Sequence, residues 1–243
     1  MSGHSKWANI KRRKAAVDAK RGAVYTKIGR ELIASAREGG GNPDTNFRLR
    51  LAMEKARSVN MPSDNIQRAI MKGTGELNEG AVFEEITYEG YGPGGVALLV
   101  WLMSDNRNRT AQELRYLFSR HGGNLGESGC VAWMFKKKGT ILLAREDNTI
   151  PEDDLMLLAL EAGAEDVRTD EDSFEIITAP GDFQAVLEAV GKANLSVAEA
   201  EIAMIPQNTV RLEGAQAEKC EGLIEALEEH EEVQSVYANY EAG

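Results

Sequence analysis

Thr140-Ile141-Leu142-Leu143-Ala144, Pro151 to Ala162, Asp166 to Thr169, Phe174 to Thr178, Asp182 to Ala193 and Val197 to Ile205 follow one another with short polar breaks. The first, third, fourth and last segments are short apolar or alternating runs and read as strands. The second and fifth place apolar residues at helical spacing. The order βαββαβ predicts a ferredoxin-like two-layer sandwich, and residues 137–205 are assigned to it as a separate domain.

Upstream, Phe83 to Tyr88 reads as a strand, Tyr91-Gly92-Pro93-Gly94-Gly95 as a hairpin turn and Val96 to Met103 as a buried strand. Asn108 to His121 follows as a helix with Leu114, Leu117 and Phe118 on its apolar side, then Val131 to Phe135 as a short strand. Downstream, Val210–Leu212, a helix from Gln216 to Glu229 and Val233–Tyr237 are too little to cover a core. They are expected to return to the earlier segment. Residues 79–136 and 206–243 then form one α+β domain, split by the ferredoxin-like insertion.

Residues 22–78 read as three helices. Val24, Ile28, Leu32 and Ala36 are four apart on a helix ending at Gly39-Gly40-Gly41. Asn42-Pro43-Asp44 is expected to start the second helix, and Ser63 or Asp64 to cap the third. In residues 1–21 the charges Lys11 to Lys14 point all round any helix, so this segment reads as an arm that is extended or partly helical until a partner orders it. The fold class is multidomain α+β.

The net charge of −11 conceals a division. Residues 1–72 hold 16 Lys+Arg against 6 Asp+Glu, and residues 73–243 hold 12 against 33, so the two parts carry +10 and −21. A basic end on an acidic body presents that end to a polyanion. No apolar run is long enough to cross a bilayer, and the basic N-terminus lacks the apolar stretch of a signal peptide. Cys130 and Cys220 stand far apart without a CxxC motif, which suits free thiols in the cytoplasm.

Nothing in the pattern points to catalysis. His4, His121 and His230 have no metal-ligand spacing, and there is no GxSxG, Walker or HExxH motif. Cys130 reads as a buried small hydrophobe. The carboxylates between Glu218 and Glu232 read as a solvated helix face. No cofactor, metal or small-molecule substrate is implied.

The basic residues are the stronger signal. Lys6, Lys11, Arg12, Arg13, Lys14, Lys20, Arg21, Lys27 and Arg30 face a single acid, Asp18, and Trp7 stands among them to stack on a base or enter a groove. The bland alternative is a solvated tail with Trp7 in a core. A second set, Arg48, Arg50, Lys55, Arg57, Arg68 and Lys72, extends the same surface or is ordinary surface charge. A third, Arg107 and Arg109, falls where a strand gives way to a helix. It reads as an anion site at that helix start, or as a capped start with the arginines in salt bridges.

Several long motifs in order resemble the YebC family, which includes the mitochondrial translational activator of cytochrome c oxidase. They are Met1-Ser2-Gly3-His4-Ser5-Lys6-Trp7-Ala8-Asn9-Ile10-Lys11, Ala52 to Arg57, Asn60-Met61-Pro62, Asn65 to Ile70, Tyr88 to Gly95, Asp105 to Thr110 and Gly122 to Gly126. Cys130 stands where the family pattern has Ser. The resemblance implies three domains and a regulator of gene expression without catalytic residues. It is either a DNA-binding transcriptional regulator or a ribosome-associated factor that contacts ribosomal RNA and relieves stalling at sequences such as proline runs. An acidic protein-interaction adaptor is the reading from a different class. If the arm grips backbone phosphates, deleting residues 1–21 lowers both affinity and salt slope in filter binding across a salt series; an unchanged slope rejects the arm.

Overall fold

The computed structural model describes residues 21–77 and 82–243, so the cations from Lys6 to Lys20, and Trp7 with them, lie outside the described residues. The described chain groups into two compact units, residues 21–131 with 214–236 and residues 132–213 with 237–243.

In the first unit, α1 (Arg21–Gly39), α2 (Phe47–Ser58) and α3 (Ser63–Thr74) pack as three helices. The four-residue stripe on α1 does what its spacing requires: Ile28, Leu32 and Ala36 are buried with Leu49, Ala52, Ala56, Ile66 and Ile70. Fully covering a leucine such as Leu32 or Leu49 contributes about 1.5–3 kcal/mol. Helix α2 starts later than Asn42-Pro43-Asp44 suggested. Its cap is Asn46, whose Oδ1 accepts from Leu49 N at 3.0 Å while its Nδ2 donates to the Ser35 and Gly40 carbonyls, each at 2.8 Å. One amide thus satisfies both the end of α1 and the start of α2. Neither Ser63 nor Asp64 caps α3: Pro62 occupies the cap without a side-chain bond, and Ser63 is the first helical residue.

The same unit holds a four-stranded sheet, in which β3 (Asn124–Leu125), β1 (Glu84–Tyr91), β2 (Ala97–Ser104) and β9 (Val233–Ala238) lie in that order. Strands β1 (Glu84–Tyr91) and β2 (Ala97–Ser104) form an antiparallel hairpin with Tyr91 opposite Ala97. The turn uses Gly94 and Gly95 at φ 66° and 79°, a backbone region that favours glycine. Helix α4 (Arg107–Arg120) buries Thr110, Leu114 and Phe118, and β3 (Asn124–Leu125) adds to β1. Where a strand was expected at Val131 to Phe135, a short 3-10 turn covers Ala132–Met134 and Phe135 opens β4.

The second unit contains β4 (Phe135–Ala144), α5 (Glu152–Glu161), β5 (Ala164–Thr169), β6 (Ser173–Thr178), α6 (Phe183–Lys192) and β7 (Glu199–Pro206). The sheet order is β5-β6-β4-β7 with every neighbouring pair antiparallel, the ferredoxin-like arrangement. Its core holds Ile141, Leu143, Leu155, Ala159, Ile176, Phe183 and Val186.

The chain then departs from expectation once. Helix α7 (Gly214–Glu229) and β9 (Val233–Ala238) return to the first unit's sheet, with Met103 N donating to the Glu232 carbonyl at 2.9 Å. Strand β8 (Val210–Leu212) does not. It pairs in parallel with β10 (Tyr240–Ala242), Val210 opposite Tyr240. A three-residue strand carries too few apolar side chains to compete for a core, so backbone pairing with the chain's last strand decides its place.

Helices α1 and α3 approach closely at Gly73, where a Cβ would sit 2.5 Å from the Ile33 carbonyl oxygen and 2.7 Å from Ala36 Cβ. Because backbone blocks that space, Gly73→Ala is expected to destabilise the protein by about 1–3 kcal/mol, read as a lower urea midpoint with an unchanged slope.

Candidate nucleic-acid interface

Arg21 opens α1, and Lys27 and Arg30 lie six and nine residues further along it, both half-buried. Lys27 Nζ donates to the Glu228 carbonyl, and Arg30 donates to the Glu231 carbonyl while its guanidinium stands 5.4 Å over the Phe83 ring. The Glu228 carbonyl lies in the last turn of α7, where a helix leaves acceptors unsatisfied and its dipole favours cations, and Glu231 follows two residues after the helix ends. The two side chains tie α1 to that end.

The second set divides. Arg48 is held by three carboxylates, Glu31 at 2.9 Å, Glu38 at 2.6 Å and Glu85 at 2.8 Å. Burial works against its charge, but Glu31 first, then Glu85 and Glu38, outweigh it and raise its pKa. Arg48 is thus a cross-brace between α1, α2 and β1. Arg50 lies 5.3 Å over the Phe47 ring and its Nε is buried without a partner among the described residues. Lys55, Arg57 and Arg68 are exposed and Lys72 is half-exposed. They are the members of the set that face solvent without an ion pair among the described residues, and they stand on α2 and α3.

The third set is split as well. Asn106 caps α4, its side chain accepting from Arg109 N at 3.1 Å. The Arg109 guanidinium donates to Glu232 at 2.5 Å and Asp105 at 2.7 Å, and these two hydrogen bonds, Glu232 first, raise its pKa. Glu232 is 2% exposed and also accepts from the Thr110 hydroxyl, which sits 2.7 Å from Ser104 Oγ. Arg109 therefore serves a buried carboxylate, the salt-bridged alternative. Arg107 remains exposed, without an ion pair among the described residues.

Around Glu232 stand two further groups with metal-ligating chemistry, His230 and Glu113, whose ligand atoms lie within 4.8 Å of one another and of Glu232's. Their geometry is that of a hydrogen-bond network. His230 Nδ1 accepts from Glu232 N at 3.2 Å, so Nε2 carries the proton and donates to Glu113 at 2.9 Å. Glu232 accepts from Arg109 and Thr110, and Glu113 pairs with His230, so the ligand atoms of the cluster are engaged in hydrogen bonds with one another and with α4.

Both thiols have raised pKa values. Burial, then Glu221, pushes Cys220 up to about 11; burial, then Glu89, raises Cys130. Cys130 is half-buried rather than fully buried. It sits in a loop that the buried Glu89 carboxylate pins by accepting from Gly129 N at 2.6 Å and Val131 N at 2.8 Å.

Sequence reading missed the outward face of α4, where Arg115, Tyr116 and Arg120 are exposed. The available signal was the spacing of Gln112, Tyr116 and Arg120 by four, opposite the apolar Leu114, Leu117 and Phe118.

The family model described as the TACO1/YebC second and third domain matches residues 83–240, and that described as the TACO1/YebC protein N-terminal domain matches residues 5–76. A protein of Pelotomaculum thermopropionicum named "Probable transcriptional regulatory protein" is 59% identical over 241 residues, covering 99% of this chain and 99% of its own. One of the same name from Desulfitobacterium hafniense is 57% identical over 242 residues, covering 99% of this chain and 96% of its own. The crystal structure of a conserved hypothetical protein of Aquifex aeolicus matches with a TM-score of 0.85 at 46% identity, covering 94% of this chain and 93% of that one.

Replacing Glu232 by Gln removes the countercharge of Arg109 and an acceptor of Thr110. Thermal unfolding of Glu232→Gln is expected to show a loss of about 1–3 kcal/mol.

Proposed function

The chain belongs to the TACO1/YebC family, and from that premise we propose that it is a non-enzymatic regulator of gene expression that binds nucleic acid in the cytoplasm through its basic N-terminal end. The observation that carries this reading is the division of charge, 16 Lys+Arg against 6 Asp+Glu in residues 1–72 and 12 against 33 thereafter. A phosphate backbone is attracted to one end and repelled by the rest.

The residues of the arm, Lys6, Lys11, Arg12, Arg13, Lys14 and Lys20, with Trp7, make the contact in this reading. Arg21 stands where the arm meets α1, and Lys55, Arg57, Arg68 and Lys72 extend the surface. Lys27 and Arg30, spent on carbonyls, position α1 rather than grip phosphate. Arg48 and Arg109, held by carboxylates, are likewise structural. The names of the relatives support regulation of transcription, which makes DNA the first partner to test. The reading as an RNA-contacting translation factor is favoured by the makeup of the contact, a set of phosphate-gripping cations with one aromatic, which gives affinity without strong base discrimination.

Sequencing nucleic acid crosslinked to the protein in cells decides between the two. Enrichment of promoter DNA is expected for a transcriptional regulator. Recovery dominated by ribosomal RNA transfers the role to translation, and recovery of neither removes nucleic acid as the partner.

A further inference from the structure

Helix α4 departs from its surroundings in charge. Its 14 residues hold four of the 12 cations that follow residue 72, Arg107, Arg109, Arg115 and Arg120, and one of the 33 acids there, Glu113. Arg109 is neutralised by Glu232 and Asp105, and Glu113 is occupied by His230. Arg107, Arg115 and Arg120 stay exposed without an ion pair among the described residues. On the same outward face Tyr116 is 62% exposed, an unusual position for an aromatic ring in the middle of a helix. Beside its ring runs a shallow groove lined by Gln112, Glu113, Leu117 and His230. Leu117 supplies an apolar wall, and Gln112 and Glu113 supply polar groups at the rim.

An exposed ring next to an apolar wall, flanked by uncompensated guanidinium groups, matches an unpaired base and the phosphates of its own strand. Helical spacing brings the parts together. Arg120 is four residues from Tyr116 and so lies beside it, and Arg115, which directly precedes Tyr116, projects about 100° round the helix on its other flank. Bases inside a duplex already stack on both faces, so a ring fixed on a rigid helix has access only to a single strand. We propose that the outward face of α4 is a single-strand nucleic-acid site in which Tyr116 stacks on one unpaired base while Arg115 and Arg120 hold adjacent phosphates. The proposal rests on the nucleic-acid reading above and adds to it a second contact with a preference for unpaired strands. The carboxylates on neighbouring α7 oppose a phosphate backbone, which confines the strand to the arginine rows of α4.

The test is fluorescence anisotropy of the full chain with a labelled single-stranded oligonucleotide and with its duplex. Tyr116→Ala is expected to weaken single-strand binding roughly tenfold and leave duplex binding unchanged. Tyr116→Phe, which keeps the ring, is expected to bind like the unmodified chain. Arg115→Gln with Arg120→Gln is expected to lower the salt slope for the single strand by about 1.4. All three positions are exposed, and circular dichroism verifies that each variant is folded. Single-strand affinity unchanged in Tyr116→Ala, with the unmodified chain binding well, overturns the α4 site and leaves the arm reading intact. An unmodified chain that binds neither strand nor duplex overturns both.

Discussion

The carboxylate of Glu232 holds the first unit together. It is buried, and it is satisfied by a guanidinium and a hydroxyl from the start of α4, Arg109 and Thr110. Its own backbone carbonyl takes Met103 N from the end of β2. One residue thus joins the start of α4, the end of β2 and the approach to β9. A buried charge of this kind contributes through geometry more than through net Coulomb energy, because desolvation consumes much of the attraction. It selects one arrangement, since any register that separates Arg109 from Glu232 leaves a charge unpaired out of water.

This constraint explains why basic residues in one chain take two kinds of role. A cation beside a carboxylate or a free backbone carbonyl is worth most to the fold, and Lys27, Arg30, Arg48 and Arg109 all have such neighbours. Lys55, Arg57 and Arg68 do not, and solvent surrounds them. Charge that is already partnered has little left to offer a phosphate. Counting basic residues in a sequence therefore overstates the size of a nucleic-acid surface, and the partners found in the fold correct the count.

The architecture was legible wherever periodicity alone decides it. The stripe from Val24 to Ala36 and the alternation from Thr140 to Ile205 each follow from burying one face, and both appear as helix and sheet. Helix starts were less legible. Asn42, Asp44, Asn46 and Ser63 are all good capping residues, and the choice among them depends on where the Ser35 and Gly40 carbonyls lie in space. The partner of β8 was hidden because three residues carry no register information. In the candidate site, Arg109 and Arg107 look alike in sequence. What separates them is Glu232, more than 120 residues away in the chain, and no local pattern reports on that. The exposed ring of Tyr116 was hidden for the opposite reason, since an aromatic in an amphipathic helix is ordinarily counted with the core.

The return of α7 and β9 to β2 also sets an order of events during synthesis. Glu232 is made 122 residues after Thr110. At roughly 5–20 residues per second, the start of α4 waits about 6–24 s for its carboxylate. The βαββαβ segment has been made in full by then, before the first unit's sheet can gain its last strand. The nascent chain thus carries Arg109 through that interval without its buried partner, with only the neighbouring Asp105 to pair with it.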